Sequence, residues 1–154
     1  MISVLFVCLG NICRSPMAEA VLRHQLDREG LADHVRVDSA GTGNWHEGHP
    51  PHRGTRNILK REGISAEGIH ARQILRDDLS DFDFIIVMDN SNFDDVNRLA
   101  QGNANNIHRF VDFIADTSYR EVPDPYFTGN FDETYTLVES GCRGIVQAIK
   151  EKVT

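Results

Sequence analysis

Short apolar runs alternate with amphipathic segments along the chain, and this pattern predicts a protein of the α/β class. The first run, from Ile2 to Val7, is rich in β-branched residues, as is typical of a strand buried in a sheet. Similar patterns predict a second strand that stops near Ser39 and a third over Phe82–Asp89. Residues 106–110 predict a short fourth strand.

The segments between these strands predict helices. Ser15 suits the N-cap of the first helix and Pro16 suits its first position. This helix extends to about Glu29, where a glycine follows. Residues 50–63 predict a second helix, which begins after prolines and ends at a glycine, and residues 91–100 predict a third.

The C-terminal segment carries a single apolar stripe, because its apolar residues recur at alternating spacings of four and three. These residues are Phe131, Tyr135, Val138, Cys142, Ile145 and Ile149. The segment before it, residues 121–130, is rich in proline and glycine, and it predicts an ordered loop without regular structure.

Alternating strands and helices predict a three-layer α/β sandwich, with a central, mainly parallel four-stranded sheet flanked by helices. Neither repeats nor a linker interrupts the pattern, so we expect residues 1–154 to form a single domain. In such sheets, ligands bind outside the carboxyl ends of the strands. Two polar regions are predicted there, one after Cys8 and one around Asp89.

Composition and charge narrow the function. The net charge of −7 disfavours nucleic acid as a partner, so any anion must be held by a local arrangement of donors. No run approaches the roughly 18 apolar residues of a membrane span. The N-terminus lacks the features of a secretory signal, and an odd count of 3 cysteines suits a reducing compartment. We therefore expect a cytoplasmic protein without a membrane partner.

The stretch FVCLGNICRSP puts a thiol at the end of the first strand and a guanidinium just before the helix. Five residues separate Cys8 from Arg14. Gly10 permits a sharp bend and Asn11 tolerates a left-handed conformation, so the loop amides can point into one concavity. Arg14 can close this concavity with a planar fork that matches two phosphate oxygens.

A cysteine in this setting is predicted to be a nucleophile. Amide dipoles, a guanidinium and a helix N-terminus favour the thiolate, and such surroundings lower a cysteine pKa to roughly 3.5–7.5. Ser15 is placed to donate its hydroxyl to the sulfur of Cys8. A buried structural cysteine is the simpler alternative, but the strand end, the glycine and the Ser-Pro helix start occur together, which favours catalysis.

A proton donor is needed for the leaving oxygen of a phosphate ester, and Asp124 is the candidate. Pro123 and Pro125 stiffen the backbone on both sides of it, and Tyr126 is placed to form a pocket wall. An Asp-Pro pair by itself indicates only a turn. The interpretation of Asp124 as an acid therefore depends on the presence of the cysteine loop.

Together, VCLGNICRSP and DPY resemble the low-molecular-weight protein tyrosine phosphatases, and the resemblance covers essentially the whole chain. The segments DSAGTGNW, ARQ, FDFIIVMDNSN and DPYFTGN follow in the order of that family. The resemblance implies hydrolysis of phosphotyrosine in proteins through a cysteinyl phosphate, without metal or cofactor. Inorganic phosphate is then the product and an expected inhibitor.

The same resemblance implies a role for each site residue. Cys8 is the nucleophile, Arg14 binds phosphate and Asp124 is the general acid and base. Asn11 and Ser39 hold the shape of the loop, and Ser15 stabilises the thiolate. The remaining implied substrate-binding residues are Leu9, Gly10, Ile12, Cys13, Trp45 and Tyr126. Of these, Leu9, Trp45 and Tyr126 line a slot for the phenyl ring, and Leu9 argues against the related arginine phosphatases, which prefer a threonine there.

The sequence departs from the family pattern at three places. The family pattern His-x-Ala-Arg occurs here as His70-Ala71-Arg72, one residue shorter, so no structural role is assigned to His70. Phe127 replaces the second tyrosine of eukaryotic relatives, which removes a phosphorylation site. The loop HEGHPPHRG is about one residue shorter than the family pattern, which is expected to reshape one rim of the site.

Two cysteines and three histidines admit more than one role. Cys13 either captures an oxidised Cys8 as a disulfide or merely fills space beneath the loop. Cys142 lies on the apolar stripe, and this position predicts that it is a core residue. The histidines at 46, 49 and 52 recur every third residue, but prolines separate them, so we expect solvated loop residues rather than a metal site.

Three other functions remain as alternatives. A thiol-dependent arsenate reductase shares the cysteine loop but needs further cysteines, and residues 80–102 contain none. A dithiol redox protein using Cys8 and Cys13 leaves Arg14 and Asp124 without a role. A non-catalytic phosphate-binding module typically lacks the cysteine or the aspartate, and both are present.

Overall fold

The computed structural model describes residues 1–153, and a four-stranded parallel sheet forms its centre. The strands lie in the order β2-β1-β3-β4, and every pairing is parallel. They are β1 (Ile2–Cys8), β2 (Val35–Gly41), β3 (Phe84–Val87) and β4 (Ile107–Arg109). The predicted sheet is therefore confirmed, including its short fourth strand.

Six α-helices and two 3₁₀ turns connect and cover the strands within the described part of the chain. The helices are α1 (Arg14–Arg28), α2 (Arg53–Arg61), α3 (Asp78–Asp81), α4 (Asn90–Leu99), α5 (Pro125–Thr128) and α6 (Phe131–Val153), and the 3₁₀ turns are Ala32–His34 and Phe110–Phe113.

Side chains of β1 alternate between two apolar clusters, one on each face of the sheet. Val4 and Phe6 pack in the larger cluster, which α1, α2 and α6 complete. Leu5 and Val7 pack on the opposite face in a smaller cluster with Val96 of α4. A strand covered on both faces is mostly apolar, as the sequence of β1 is apart from Ser3. The helices thus form the two outer layers of the predicted sandwich.

Helix α6 packs closely against the 3₁₀ turn Phe110–Phe113. A Cβ atom on Gly141 would lie 2.2 Å from Cε1 of Phe110, and one on Gly144 would lie 2.0 Å from the carbonyl oxygen of Phe113. The glycines therefore permit a contact that any larger residue would prevent. The predicted apolar stripe packs in the larger cluster, with Val138 and Cys142 fully buried.

Two local predictions are wrong. Ser15 is not the N-cap of α1, because the helix begins at Arg14 and the Ser15 hydroxyl contacts the sulfur of Cys8 instead. For the same reason Pro16 is the third residue of the helix and not the first. The loop predicted for residues 121–130 contains the one-turn helix α5. Its start is capped by the Asp124 carboxylate, which accepts a hydrogen bond from the amide of Tyr126, and it ends at Gly129 with φ of 74°.

Within residues 1–153, no helix is both long and apolar enough to cross a membrane.

Candidate active site

The candidate site lies where β1 passes into α1. Cys8 is the last residue of β1, and α1 begins six residues later at Arg14. Between them, Asn11 has φ of 56°, a left-handed conformation that asparagine adopts more readily than most residues. The loop therefore turns sharply, and Ser15 of α1 lies next to Cys8, whose side chain is buried.

A hydrogen-bond network lies behind this loop and orients the Ser15 hydroxyl. Asn11 Nδ2 donates to Ser15 Oγ at 2.7 Å and to Ser39 Oγ at 2.9 Å. The amide N–H of Arg72 donates to Asn11 Oδ1 at 2.9 Å, which fixes the orientation of the Asn11 side chain. Because Ser15 Oγ accepts from Asn11, its own hydrogen is free to point at Cys8 Sγ, 2.9 Å away.

The network ends at Glu19, a carboxyl on α1 that is only 2% exposed. Ser39 Oγ donates to Glu19 Oε1 at 2.6 Å, and Arg23 forms an ion pair with the same carboxyl. Burial raises the pKa of Glu19 to about 7, although the Ser39 hydrogen bond and the Arg23 charge act in the opposite direction. A titratable carboxyl therefore supports the loop from inside the protein.

Arg14 links the loop to two carboxylates. Its side chain is 2% exposed, and Nη1 donates to Asp89 Oδ2 at 2.8 Å and to the carbonyl oxygen of Val122 at 2.9 Å. Nη2 donates to Asp124 Oδ2 at 3.3 Å. The Nε atom is buried without a hydrogen-bond partner among residues 1–153. Two of the five N–H donors of the guanidinium, that of Nε and one of Nη2, thus remain for a ligand.

The charge of Arg14 is secured by its surroundings. Burial alone would lower the pKa of this guanidinium, but Cys8, Asp124 and Asp89 outweigh burial and raise it above its ordinary value. A buried arginine held by two carboxylates keeps a fixed position and a full positive charge, which are the properties that binding of a phosphate dianion requires.

Cys8, Arg14 and Asp124 line one cavity of about 120 Å³. The other lining residues are Leu9, Gly10, Ile12, Cys13, Trp45, His46, Tyr126 and Phe127. The remaining predicted site residues, Asn11, Ser15 and Ser39, lie behind the loop in the network. The structure thus brings every predicted residue either to the cavity or to its support.

The cavity mouth is aromatic and exposed. Trp45 is 66% exposed, Tyr126 is 55% exposed and Phe127 is 76% exposed. The rings of Tyr126 and Phe127 meet edge to face, with 5.4 Å between their centroids. These side chains offer flat apolar surfaces to a flat ligand.

Sequence reasoning missed several residues of the site. Asp89 was predicted to lie at the ligand-binding edge of the sheet but was given no role, and the structure places it after β3, the strand next to β1. Glu19 had a usable signal, since it lies one helical turn after Ser15. Arg72 was noted only as part of the family pattern, and its amide bond to Asn11 had no signal, because backbone groups carry no sequence signature. The other missed residues are His46 and Phe127, which line the cavity.

The prediction that the three loop histidines are solvated is wrong for His46 and His52, whereas His49 is exposed as predicted. His52 is half-buried, because its ring stacks on Phe131 with 5.1 Å between centroids, and its Nδ1 caps α2 by accepting from the Gly54 amide. His46 lines the cavity, where a Cβ atom on Gly10 would lie 3.1 Å from its ring. Within residues 1–153, no group of three or more His, Cys, Asp or Glu is arranged to hold a metal ion.

The two other cysteines are buried thiols. Cys13 packs with Ile12 and Ala71 beneath the loop, as one of its two alternatives predicts, and it also lines the cavity. Burial, together with the charges of Cys8 and Asp124, raises the pKa of Cys13 to about 12. Cys142 is fully buried in the larger cluster, which confirms it as a core residue.

Comparison with known proteins decides the family. The family model of the low molecular weight phosphotyrosine protein phosphatases matches residues 3–154. The chain belongs to this family. Its sequence is 50% identical over 153 residues to the low molecular weight protein-tyrosine-phosphatase YfkJ of Bacillus subtilis, covering 99% of this chain and 98% of the relative. The predicted family, and with it the predicted protein tyrosine phosphatase, is confirmed.

Solved structures of the family share the fold over nearly the whole chain. The crystal structure of YfkJ has a TM-score of 0.98 and covers 100% of this chain and 98% of its own. A protein tyrosine phosphatase of Entamoeba histolytica, in a product state mimic, is 34% identical with a TM-score of 0.90, covering 98% and 97%. The Drosophila arginine phosphatase DARP is 34% identical with a TM-score of 0.86, covering 96% and 97%.

Proposed function

We propose that the chain hydrolyses phosphotyrosine in proteins through a cysteinyl phosphate, with Cys8 as the nucleophile. The sulfur of Cys8 attacks phosphorus, the S–P bond forms, and the bond from phosphorus to the phenolic oxygen breaks. Asp124 gives its proton to the departing phenolate. A water molecule then attacks phosphorus, Asp124 accepts a proton from this water, and inorganic phosphate leaves while the thiolate is restored.

Arg14 has the role of phosphate ligand in this proposal. Its unpartnered Nε and the amides of the loop from Leu9 to Arg14 are available to hold the oxygens whose charge increases in the transition state. Asp89 and Val122 hold the opposite edge of the guanidinium, so it need not reorganise when phosphate binds. The convergence of Cys8, Arg14 and Asp124 on one cavity is the observation that carries the proposal.

The supporting residues keep this arrangement in the reactive geometry. Asn11 and Ser39 are assigned to hold the loop, and Ser15 is assigned to donate its hydroxyl to the thiolate of Cys8. With Ser15 donating, the negative charge on sulfur is stabilised before phosphate arrives. None of these three side chains needs to touch the substrate.

The exposed slot favours a phenyl ring over a shorter alcohol. Leu9, Trp45 and Tyr126 surround the cavity mouth, and phosphorus on a serine side chain would not reach Cys8 past them. The likeness to DARP raises phosphoarginine as a second candidate substrate. Leu9 favours phosphotyrosine, because an apolar side chain packs against a phenyl ring but leaves the N–H groups of a guanidinium unpaired.

We further propose that residues 1–154 act as a single catalytic domain in a reducing cytoplasm, with inorganic phosphate as a competitive inhibitor and without nucleic acid as a partner. The three cysteines are unpaired, and a thiol nucleophile requires such an environment. The same phosphate that leaves the reaction fits the Arg14 cradle, so its accumulation is expected to slow turnover.

The test is hydrolysis of phosphotyrosine, phosphoarginine and p-nitrophenyl phosphate by the reduced protein and by its Cys8→Ser variant, without added metal. We expect the wild type to hydrolyse phosphotyrosine and the aryl ester, and the variant to bind phosphate without turnover. Activity on phosphoarginine above that on phosphotyrosine would overturn the assignment of phosphotyrosine as the substrate. Activity that persists in the variant would show that Cys8 is not the nucleophile. Reduction of arsenate would identify an arsenate reductase, and phosphate binding without turnover in the wild type would identify a non-catalytic phosphate-binding module.

A further inference from the structure

A second cavity lies beside the cavity that Cys8, Arg14 and Asp124 line. It has a volume of about 360 Å³. Leu9 and Trp45 line both cavities, so the two spaces share walls. The mechanism above uses only the smaller one. A protein substrate, however, extends beyond its phosphotyrosine on both sides, and its neighbouring residues must lie against the rim of the site.

One side of the second cavity is fixed to the catalytic loop. The amide of Thr42 donates to the carbonyl oxygen of Cys8 at 2.9 Å, and the amide of Gly43 donates to that of Leu9 at 3.0 Å. Trp45 lies against Gly43 so closely that a Cβ atom there would be 1.8 Å from Cζ3 of the indole. The indole shared by both cavities thus rests on backbone that is hydrogen-bonded to the nucleophile's own loop.

The opposite side is formed by the last two turns of α4, and it too is tied to the phosphate site. The Asp89 carboxylate caps α4 by accepting from the Asn92 amide at 2.7 Å, and it also accepts from Arg14 at 2.8 Å. The position of α4 is therefore linked to the guanidinium that binds phosphate. The residues that α4 contributes to the cavity are Asp95, Arg98 and Leu99.

The lining of the second cavity favours an apolar ligand, although Thr42 and Gln73 are among its residues. Gln73 Nε2 already donates to the carbonyl oxygen of Thr42 at 3.1 Å, and Thr42 Oγ1 is buried. Leu9, Ile74 and Leu99 give it aliphatic surface, to which the indole adds an aromatic face. The two charged residues, Asp95 and Arg98, form an ion pair with each other at 2.6 Å, so neither presents an uncompensated charge. An aliphatic side chain would lose water and gain contacts here without leaving a buried charge unpaired.

We propose that this cavity is a substrate subsite that binds an aliphatic side chain one or two residues away from the phosphotyrosine. The proposal rests on the proposed function and adds a sequence preference to it. An extended peptide advances about 3.3 Å per residue, so a neighbouring side chain can reach the second cavity while the phosphotyrosine ring fills the first. Phosphoprotein substrates are then distinguished by an aliphatic residue beside the phosphotyrosine.

The test compares phosphotyrosine peptides that carry leucine or glycine at the two flanking positions on each side, one position at a time. For the wild type we expect kcat/KM to be about tenfold higher for leucine than for glycine at one of these positions. The Leu99→Trp variant fills the cavity, so its preference should fall to about twofold or less. Its kcat/KM for p-nitrophenyl phosphate, which does not extend to the second cavity, should stay unchanged.

Leu75→Trp is the matched control, because Leu75 is 62% exposed and lines neither cavity. It should keep the full leucine preference. Leu99→Gln is a milder second variant, which makes the wall polar without filling the cavity, and it too should weaken the preference. Equal rates on all peptides in an active wild type, or a preference that survives Leu99→Trp, would overturn the subsite. A wild type that hydrolyses none of the peptides would overturn the proposed function instead.

Discussion

The two sides of the catalytic loop differ in almost every physical property. Behind it, Asn11, Ser15 and Ser39 are buried, and hydrogen bonds join them to one another and to Glu19. In front of it, Trp45, Tyr126 and Phe127 are mostly exposed, and the rings of Tyr126 and Phe127 contact each other. In the proposed mechanism the rear holds the loop in its reactive geometry, whereas the front contacts the substrate.

The two sides of the loop are therefore expected to differ in how well they tolerate substitutions. A buried polar group that loses its partner costs free energy, so each residue at the rear depends on the others. An exposed aromatic residue can be replaced with little effect on folding. We therefore expect substitutions at the rear to affect stability and turnover together, and substitutions of the exposed aromatic residues at the front to affect substrate binding alone.

The largest effect is expected from Asp124, which belongs to the front but takes part in the chemistry. Asp124→Asn removes the proton donor, and we expect phosphotyrosine hydrolysis to slow by about a thousandfold. Hydrolysis of an activated aryl ester should slow much less, because its leaving group needs no proton. Steady-state kinetics on both substrates measures this difference. Equal slowing of the two would show that Asp124 is not the acid.

A substitution of Asn11 breaks the rear network. Asn11→Ala removes an amide that bonds Ser15, Ser39 and the Arg72 amide, and it puts alanine at φ of 56°. We expect the free energy of unfolding to fall by about 4 kcal/mol. Asn11→Gly keeps the backbone unstrained and should lose about 1 kcal/mol less. Urea unfolding of both variants separates strain from hydrogen bonding, and equal losses would mean that the left-handed backbone costs nothing.

Glu19 makes the stability of the rear depend on pH. Its pKa is about 7 in the folded protein against 4.5 for an ordinary glutamate, so the folded state binds this proton more tightly than the unfolded chain. The resulting stability is fully present below about pH 4.5 and is lost as the pH rises through about 7, a change of about 3 kcal/mol in the free energy of unfolding.

Glu19→Gln removes this titration. Urea unfolding at about pH 5 and at about pH 8 should therefore show a pH dependence smaller by about 3 kcal/mol than in the wild type. Glu67→Gln is the control, because Glu67 is exposed and remote from the network, and it should keep the wild-type dependence. A Glu19→Gln variant with the wild-type pH dependence would show that Glu19 does not cause this dependence.

The smallest effect on folding is expected at the front. Phe127 is 76% exposed, so Phe127→Ala should change the free energy of unfolding by less than about 0.5 kcal/mol. KM for phosphotyrosine peptides should rise a few-fold at most, since one ring face at the mouth is lost. A loss of stability comparable to that of Asn11→Ala would erase the distinction between the two sides of the loop.

Patterns in the sequence predicted the parts of the fold and site that local chemistry determines. The β1 strand, the stripe of α6 and the thiol and guanidinium of the cysteine loop each follow from residue types at fixed spacings. Contacts between distant segments were not predictable in this way. The pairing of Arg14 with Asp89 depends on which strand lies next to β1, and the raised pKa of Glu19 depends on burial by other elements.

The two local errors have the same cause. Ser15 has the residue type of an N-cap, and Asp124 has that of a simple turn. In the folded protein the Ser15 hydroxyl contacts a sulfur instead of a helix amide, while the Asp124 carboxylate caps α5. Short polar side chains have several possible partners, and the tertiary fold selects among them.

The most direct test of the central claim is to trap the covalent intermediate. The Asp124→Asn variant, mixed with p-nitrophenyl phosphate and quenched in acid, should carry one phosphoryl group, which peptide mass spectrometry should assign to Cys8. The account predicts this label on Cys8 and its absence from a Cys8→Ser, Asp124→Asn double variant. Turnover without any phosphoryl group on Cys8, or a label on another residue, would contradict the account.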